Sequence, residues 1–277
     1  MGSVWVASHK DLDVQVAVKF ITDNVNASQE TRARFEREAK AAAGLESRHI
    51  VQIRDYGVVD DTPYLAMELL KGESLHQRLV ERKRLGPQEA SDLVAQIGRG
   101  LKRAHAAGVV HRDLKPANIF ITCIDDEEVV KILDFGIAKT ALQTTAADPS
   151  ATQTGVMMGS VHYASPEQLR SSRTADHRSD IWSVGVILFR ALTGQLPFRG
   201  EDMADIIVKV CTEPVPSACA IAPEVPRGAD AFFARALARK PDERYQTIHD
   251  LVVAFQRLVA PSTRSSTTSS DSWDFAP

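Results

Sequence analysis

His111-Arg112-Asp113-Leu114-Lys115-Pro116-Ala117-Asn118, followed downstream by Asp134-Phe135-Gly136, is the stretch on which the reading of this chain turns. Asp113 supplies a carboxylate able to orient a hydroxyl nucleophile. Lys115, on the same loop, can neutralise charge on a transferring phosphoryl group. Asn118 and Asp134 supply an amide and a carboxylate, the hard oxygen donors that magnesium requires. The spacing H-R-D-x-x-x-x-N with a later D-F-G therefore reads as a phosphoryl-transfer site. His111 reads as packing and hydrogen-bonding support for the loop.

Working outward, Pro87 at a helix start, a face of Ala90, Leu93, Val94, Ile97, Leu101 and Ala104, and Gly108 as a stop predict a long helix that delivers the chain to His111. Upstream, alternation over Ser3 to Ser8 and Val14 to Ile21, around a polar turn at His9 to Asp13, predicts two antiparallel strands. Asn26 and Gln29 resemble a capping box, and Phe35, Ala39 and Ala42 continue a helix through Leu45. Val51 to Val58 and Pro63 to Leu70 predict two further strands, after which Gly72 should end the sheet. Downstream of a loop from Asp134 to Glu167, helical patterns recur at Asp180 to Leu192, Asp202 to Val210, Arg227 to Arg239 and Thr247 to Leu258. The expected fold class is α+β: a mainly antiparallel β lobe with one helix over residues 1–70, and a mainly α lobe over 71–260. Residues 261–277, rich in serine and threonine and poor in apolar residues, read as a disordered tail.

Composition agrees with one catalytic unit. At 277 residues the chain can bury a sizeable core, and 44% hydrophobic with 25% charged residues is ordinary for a globular protein. A net charge of −3 generates no field that would recruit nucleic acid. The three cysteines, Cys123, Cys211 and Cys219, match no metal-ligand spacing and suit a reducing compartment, so a cytoplasmic location is expected. The longest apolar run, Ile181 to Phe189, falls well short of the roughly 20 residues of a membrane span. No secretory leader or myristoylation signal is read at Met1 to Val6.

On these motifs the chain resembles the eukaryotic-type (Hanks-type) serine/threonine protein kinases, and its Met-Gly-Ser-Val-Trp-Val-Ala opening and Ser165-Pro166-Glu167-Gln168 segment look most like the bacterial branch. The resemblance spans about residues 1 to 259 and implies a two-lobed fold and ATP with Mg²⁺ as cofactors. Protein Ser/Thr hydroxyls would be the acceptors, with self-association for trans-autophosphorylation. In Val16-Ala17-Val18-Lys19 it implies that Lys19 holds the α and β phosphates and that Glu38, on the inner helix face, pairs with it. Met67 would gate the adenine pocket while backbone groups of Glu68 and Leu70 bond adenine, with Ala17 in the same nucleotide site. Asn118 and Asp134 would hold magnesium. Glu167 would form a buried ion pair with Arg244, and Asp180 would tie down the catalytic-loop backbone. Lys115 resembles the serine/threonine class; tyrosine kinases carry alanine or arginine nearby. Arg112 would receive a phosphate placed on Thr152 or Thr154, within a segment that also carries Thr140, Thr144, Thr145 and Ser150. Ser160 stands where the family usually has threonine.

The sequence departs from the family in its phosphate-covering loop, G-x-G-x-x-G-x-V, of which only Gly2 and Val4 are present. Met1 is thus expected to be an internal methionine taken as a start, genuine truncation being the other reading. Two further functions compete: a catalytically impaired kinase-like regulatory or binding module, and a small-molecule phosphotransferase. The Ser-Pro-Glu segment, the threonine-bearing loop and Arg244 speak against the second, because they build a platform for a protein substrate.

Overall fold

A computed structural model describes residues 3–9, 13–21, 29–60, 62–135, 159–171 and 175–260, with backbone alone for 9 and 29–35. Gly2, Asn26, Gly136, all the threonines of the 140–154 segment and the 261–277 tail lie outside the described residues.

β1 (Val4–His9), β2 (Val14–Phe20), β3 (Ile53–Val59) and β4 (Thr62–Glu68) form one antiparallel sheet in the order β1-β2-β4-β3. Their β-branched residues favour an extended backbone, and the register follows the alternation. It sets Ala17 opposite Met67 and Lys19 opposite Leu65. α1 (Gln29–Ala43) buries Ala39 and Ala42, small side chains that let the helix lie close to its neighbours.

Gly72 leaves this sheet as expected but does not start a purely helical lobe. It opens β5 (Gly72–Ser74), which joins β6 (Ile119–Ile124) and β7 (Glu127–Ile132) in a second antiparallel sheet of order β5-β6-β7. Glycine is required there: φ is 144°, and a Cβ would collide with the Ile121 carbonyl oxygen. The β6–β7 hairpin evaded the alternation rule because Ile119-Phe120-Ile121 is apolar on both faces. It matters to the site. β6 starts directly after Asn118, β7 ends just before Asp134, and the Leu133 N–H donates to the Asn118 carbonyl at 2.8 Å. Both lobes meet at this point, where the Val51 N–H donates to the Ile132 carbonyl at 3.0 Å.

The large lobe contains α2 (Leu75–Arg82), α3 (Pro87–Ala106), α4 (Pro166–Arg170), α5 (Arg178–Thr193), α6 (Met203–Thr212), α7 (Ala218–Ile221), α8 (Ala229–Ala236) and α9 (Ile248–Val259). α5 is central: Ile181, Trp182, Val184, Val186, Ile187 and Phe189 are all 0% exposed, the signature of a helix apolar on every side. Each such side chain contributes about 1.5–3 kcal/mol of burial free energy. α3 packs on α9 where Gly98 leaves room for Val252; a Cβ would sit 2.6 Å from its Cγ2.

Candidate active site

The loop leaving α3 is held from beneath. Asp180, in the first turn of α5 and 0% exposed, accepts from the backbone N–H groups of His111 and Arg112, both at 2.9 Å, and from His105 Nε2 at 2.8 Å. Burial alone would push the Asp180 carboxyl up, but the hydrogen bond and charge of His105, with those of His111, outweigh it and hold the group below the usual carboxylate range. This grip supports an unusual backbone, since Arg112 is a non-glycine residue at φ 62°. The buried His111 ring is committed internally. Its Nδ1 accepts from the Asp113 N–H at 3.2 Å and its Nε2 donates to the Leu133 carbonyl at 2.8 Å. Its ring centroid lies 4.9 Å from that of Phe135, the two planes tilted by 50°.

Above this support the predicted polar side chains converge. Lys115 Nζ lies 3.0 Å from Asp113 Oδ2 and 2.7 Å from Ser160 Oγ, so serine preserves the hydroxyl contact that threonine would make. Asn118 Nδ2 donates to the Asp113 carbonyl at 2.8 Å, so the nitrogen end of its amide is committed to the loop. Asp134, at φ 51°, places Oδ2 2.6 Å from Lys19 Nζ. Among the described residues the carboxylate seen beside the Lys19 ammonium is Asp134, whereas the resemblance implied Glu38. Glu38 is half-buried beside Ala39, on the inner face the helical wheel assigned to it.

Magnesium can be tested against the donor set. Among the described residues no cluster of three or more His, Cys, Asp or Glu side chains is arranged to hold a metal by itself. Magnesium binds through one or two carboxylates together with substrate phosphates. The Asn118 amide oxygen and the Asp134 carboxylate are donors of the right hardness.

The other residues expected at a nucleotide site lie in the segment between the lobes and on the neighbouring strands β1 and β2. Met67, 9% exposed, lines a small apolar pocket with Ala42, Ile53, Leu65, Asp134 and Phe135, and Ala17 lies across the ladder from it. Glu68 Oε1 accepts from the Gln52 N–H at 2.8 Å and from Lys131 Nζ at 2.7 Å. The Leu70 N–H has no hydrogen-bond partner among the described residues. Val4 is 62% exposed in β1, opposite Lys19.

Residues 1–254 match the protein kinase domain family. The chain belongs to that family. Serine/threonine-protein kinase PrkC of Bacillus subtilis (strain 168) is 39% identical over 251 residues, covering 91% of this chain and 37% of PrkC. Serine/threonine-protein kinase PknH of Mycobacterium tuberculosis (strain ATCC 25618 / H37Rv) is 36% identical over 254 residues, covering 92% of this chain and 39% of PknH. The chain thus spans little more than a third of these relatives' length. The crystal structure of the Mycobacterium tuberculosis PknI kinase domain superposes with a TM-score of 0.73 at 26% identity, over 93% of this chain and 91% of that one.

The kinase domain's expected anchor is present. Arg244, 1% exposed, donates from Nη1 and Nη2 to the two oxygens of Glu167, each at 2.7 Å. Its remaining donors reach the carbonyls of Ala238, Arg178 and Arg239. Burial pushes the Glu167 carboxyl up and Arg244 more than reverses it, leaving the group below its usual range. Besides His105 to Asp180 and Lys19 to Asp134, two more contacts went unread in the sequence. One is Lys131 to Glu68; a lysine inside Val129-Val130-Lys131-Ile132 was the available signal, because a buried ammonium needs a partner. The other is Gln168 Nε2 donating to the Arg112 carbonyl at 2.8 Å.

Proposed function

We propose that this kinase domain transfers the γ-phosphoryl group of ATP to serine or threonine hydroxyls of protein substrates. The carrying observation is that Lys115 and Asn118 meet Asp113 on the loop gripped by Asp180, while Asp134 meets Lys19 one residue past Leu133, whose N–H donates to the Asn118 carbonyl. Asp113 accepts the hydroxyl proton or orients the hydroxyl. Lys115, already beside Asp113, stabilises charge on the moving group. Lys19 holds the α and β phosphates by point charge, and Glu38 backs it from α1. Asn118 and Asp134 would hold magnesium, which when bound would neutralise phosphate charge. Met67 gates the adenine pocket, Ala17 lines it, and Glu68 and Leu70 offer backbone groups to the base. Val4, and Gly2 outside the described residues, are assigned to the part of the phosphate-covering loop that this sequence retains.

The catalytic unit is taken as residues 1–260, with lobes of 1–70 and 71–260. No helix among the described residues is long and apolar enough to cross a membrane. We place the domain in the cytoplasm, where ATP is supplied, and assign trans-autophosphorylation of Thr152 or Thr154 through transient self-association, with Arg112 as the phosphate's partner.

The test is transfer from γ-labelled ATP with magnesium to the protein itself and to a basic protein substrate, followed by amino-acid analysis and site mapping. Label on phosphoserine or phosphothreonine, abolished by chelation and including Thr152 or Thr154, is expected. Label confined to tyrosine, or none at all, contradicts the assignment.

A further inference from the structure

We infer that Gln168 is a positioning residue for Asp113: it fixes the peptide plane from which the Asp113 side chain departs. The inference rests on the role given to Asp113 above.

The peptide joining Arg112 to Asp113 carries one donor and one acceptor, and both are held. The Asp113 N–H donates to the His111 carbonyl at 2.8 Å and lies 3.2 Å from His111 Nδ1. The Arg112 carbonyl accepts from Gln168 Nε2 at 2.8 Å. Because Arg112 sits at φ 62°, a conformation costly for a side-chain-bearing residue, this plane stays in place only while outside contacts over-determine it. Asp180 holds the plane before it through the Arg112 N–H. Gln168 holds the plane after it.

Gln168 can do this because its own amide has one permitted orientation. Its oxygen accepts from the Ser165 N–H at 3.0 Å and from Ser165 Oγ at 3.1 Å, so its two N–H groups point toward Arg112. Ser165 is 0% exposed and begins α4, whose Glu167 is clamped by Arg244. The same short segment carries Ser160, the partner of Lys115. Gln168 therefore connects a rigidly anchored helix start to the backbone of the reacting loop.

Gln168→Glu separates its two duties. The new side chain keeps the oxygen that caps Ser165 but puts a second oxygen where the Arg112 carbonyl needs a donor. Steady-state kinetics should show kcat reduced about 10- to 100-fold, as for small misplacement of a reacting group, with KM for ATP changed by less than about twofold. Lowering the pH should recover part of the deficit relative to the parent enzyme at the same pH, because the protonated carboxyl again donates. Packing alone would give no such recovery. Gln168→Met, which removes both contacts at similar length, should lose kcat without recovery in acid. Parental kcat in either variant, or a change confined to KM for ATP, overturns the inference. Asp113→Asn is run alongside: if it retains parental transfer, the assignment of Asp113 falls and this inference with it. If it is inactive while both Gln168 variants are parental, only the positioning role falls.

Discussion

Two carboxylate–cation pairs in this kinase domain share their chemistry and differ in construction. Asp134 meets Lys19 through a single 2.6 Å contact, with side chains 31% and 20% exposed. Glu167 meets Arg244 through two 2.7 Å contacts, with side chains 15% and 0% exposed, and carbonyl oxygens occupy the remaining guanidinium donors. A lysine is a flexible point charge that can take a different anion, whereas a fully satisfied arginine fork cannot. The first pair suits a site where phosphates and a metal come and go. The second suits a fixed support, and Asp180 shares its character.

The contrast breaks most visibly if the buried pair is cut. Arg244→Ala strands the Glu167 carboxylate and removes the guanidinium lying 5.1 Å over the Trp182 ring. Chemical denaturation should show a loss of about 3–5 kcal/mol, the cost of leaving a buried charge unpaired. A change below about 1 kcal/mol would place this pair with exposed ones.

Acid sharpens the same contrast more gently. Glu167 and Asp180 are both held below their usual range, so each contributes stability above the unfolded carboxylate value of about 4 and loses it as pH falls through the lower folded value. His49 acts earlier and in the same direction. Burial depresses its folded value against its bond to the Val130 carbonyl, helped by the charges of Arg99, Arg48 and Lys131. The unfolded chain then gains the proton first, below about pH 6.5. Unfolding free energy followed against pH should begin to fall just below that point and fall further below about pH 4. A profile that rises on acidification would contradict these assignments.

Legibility in the sequence followed locality. His111 to Asn118 were readable by spacing along one loop and Asp134 by its neighbours Phe135 and Gly136, and the start of α3 at Pro87 and the φ 73° stop at Gly108 obeyed ordinary capping rules. The β6–β7 hairpin was not readable, since a strand buried on both faces loses its alternation. That Glu38 is less exposed than Glu36 was legible from the helical wheel, yet the carboxylate beside Lys19 was not. That contact depends on the φ 51° turn at Asp134, which no periodicity records. Gln168 was read only as the last letter of the Ser165-Pro166-Glu167-Gln168 segment, and its cap on Ser165 came from the structure. Its second bond depends on a carbonyl aimed by the backbone of Arg112, a residue distant in sequence.

The most direct test is Lys19→Met, with phosphate transfer and unfolding free energy measured on one preparation. Solvent can reach Asp134 once the lysine is gone, so stability should change by less than about 1 kcal/mol, while transfer falls about 10²- to 10³-fold through loss of the phosphate-facing charge. Parental transfer, or destabilisation as large as that of Arg244→Ala, would contradict the distinction between an exchangeable working pair and a fixed support.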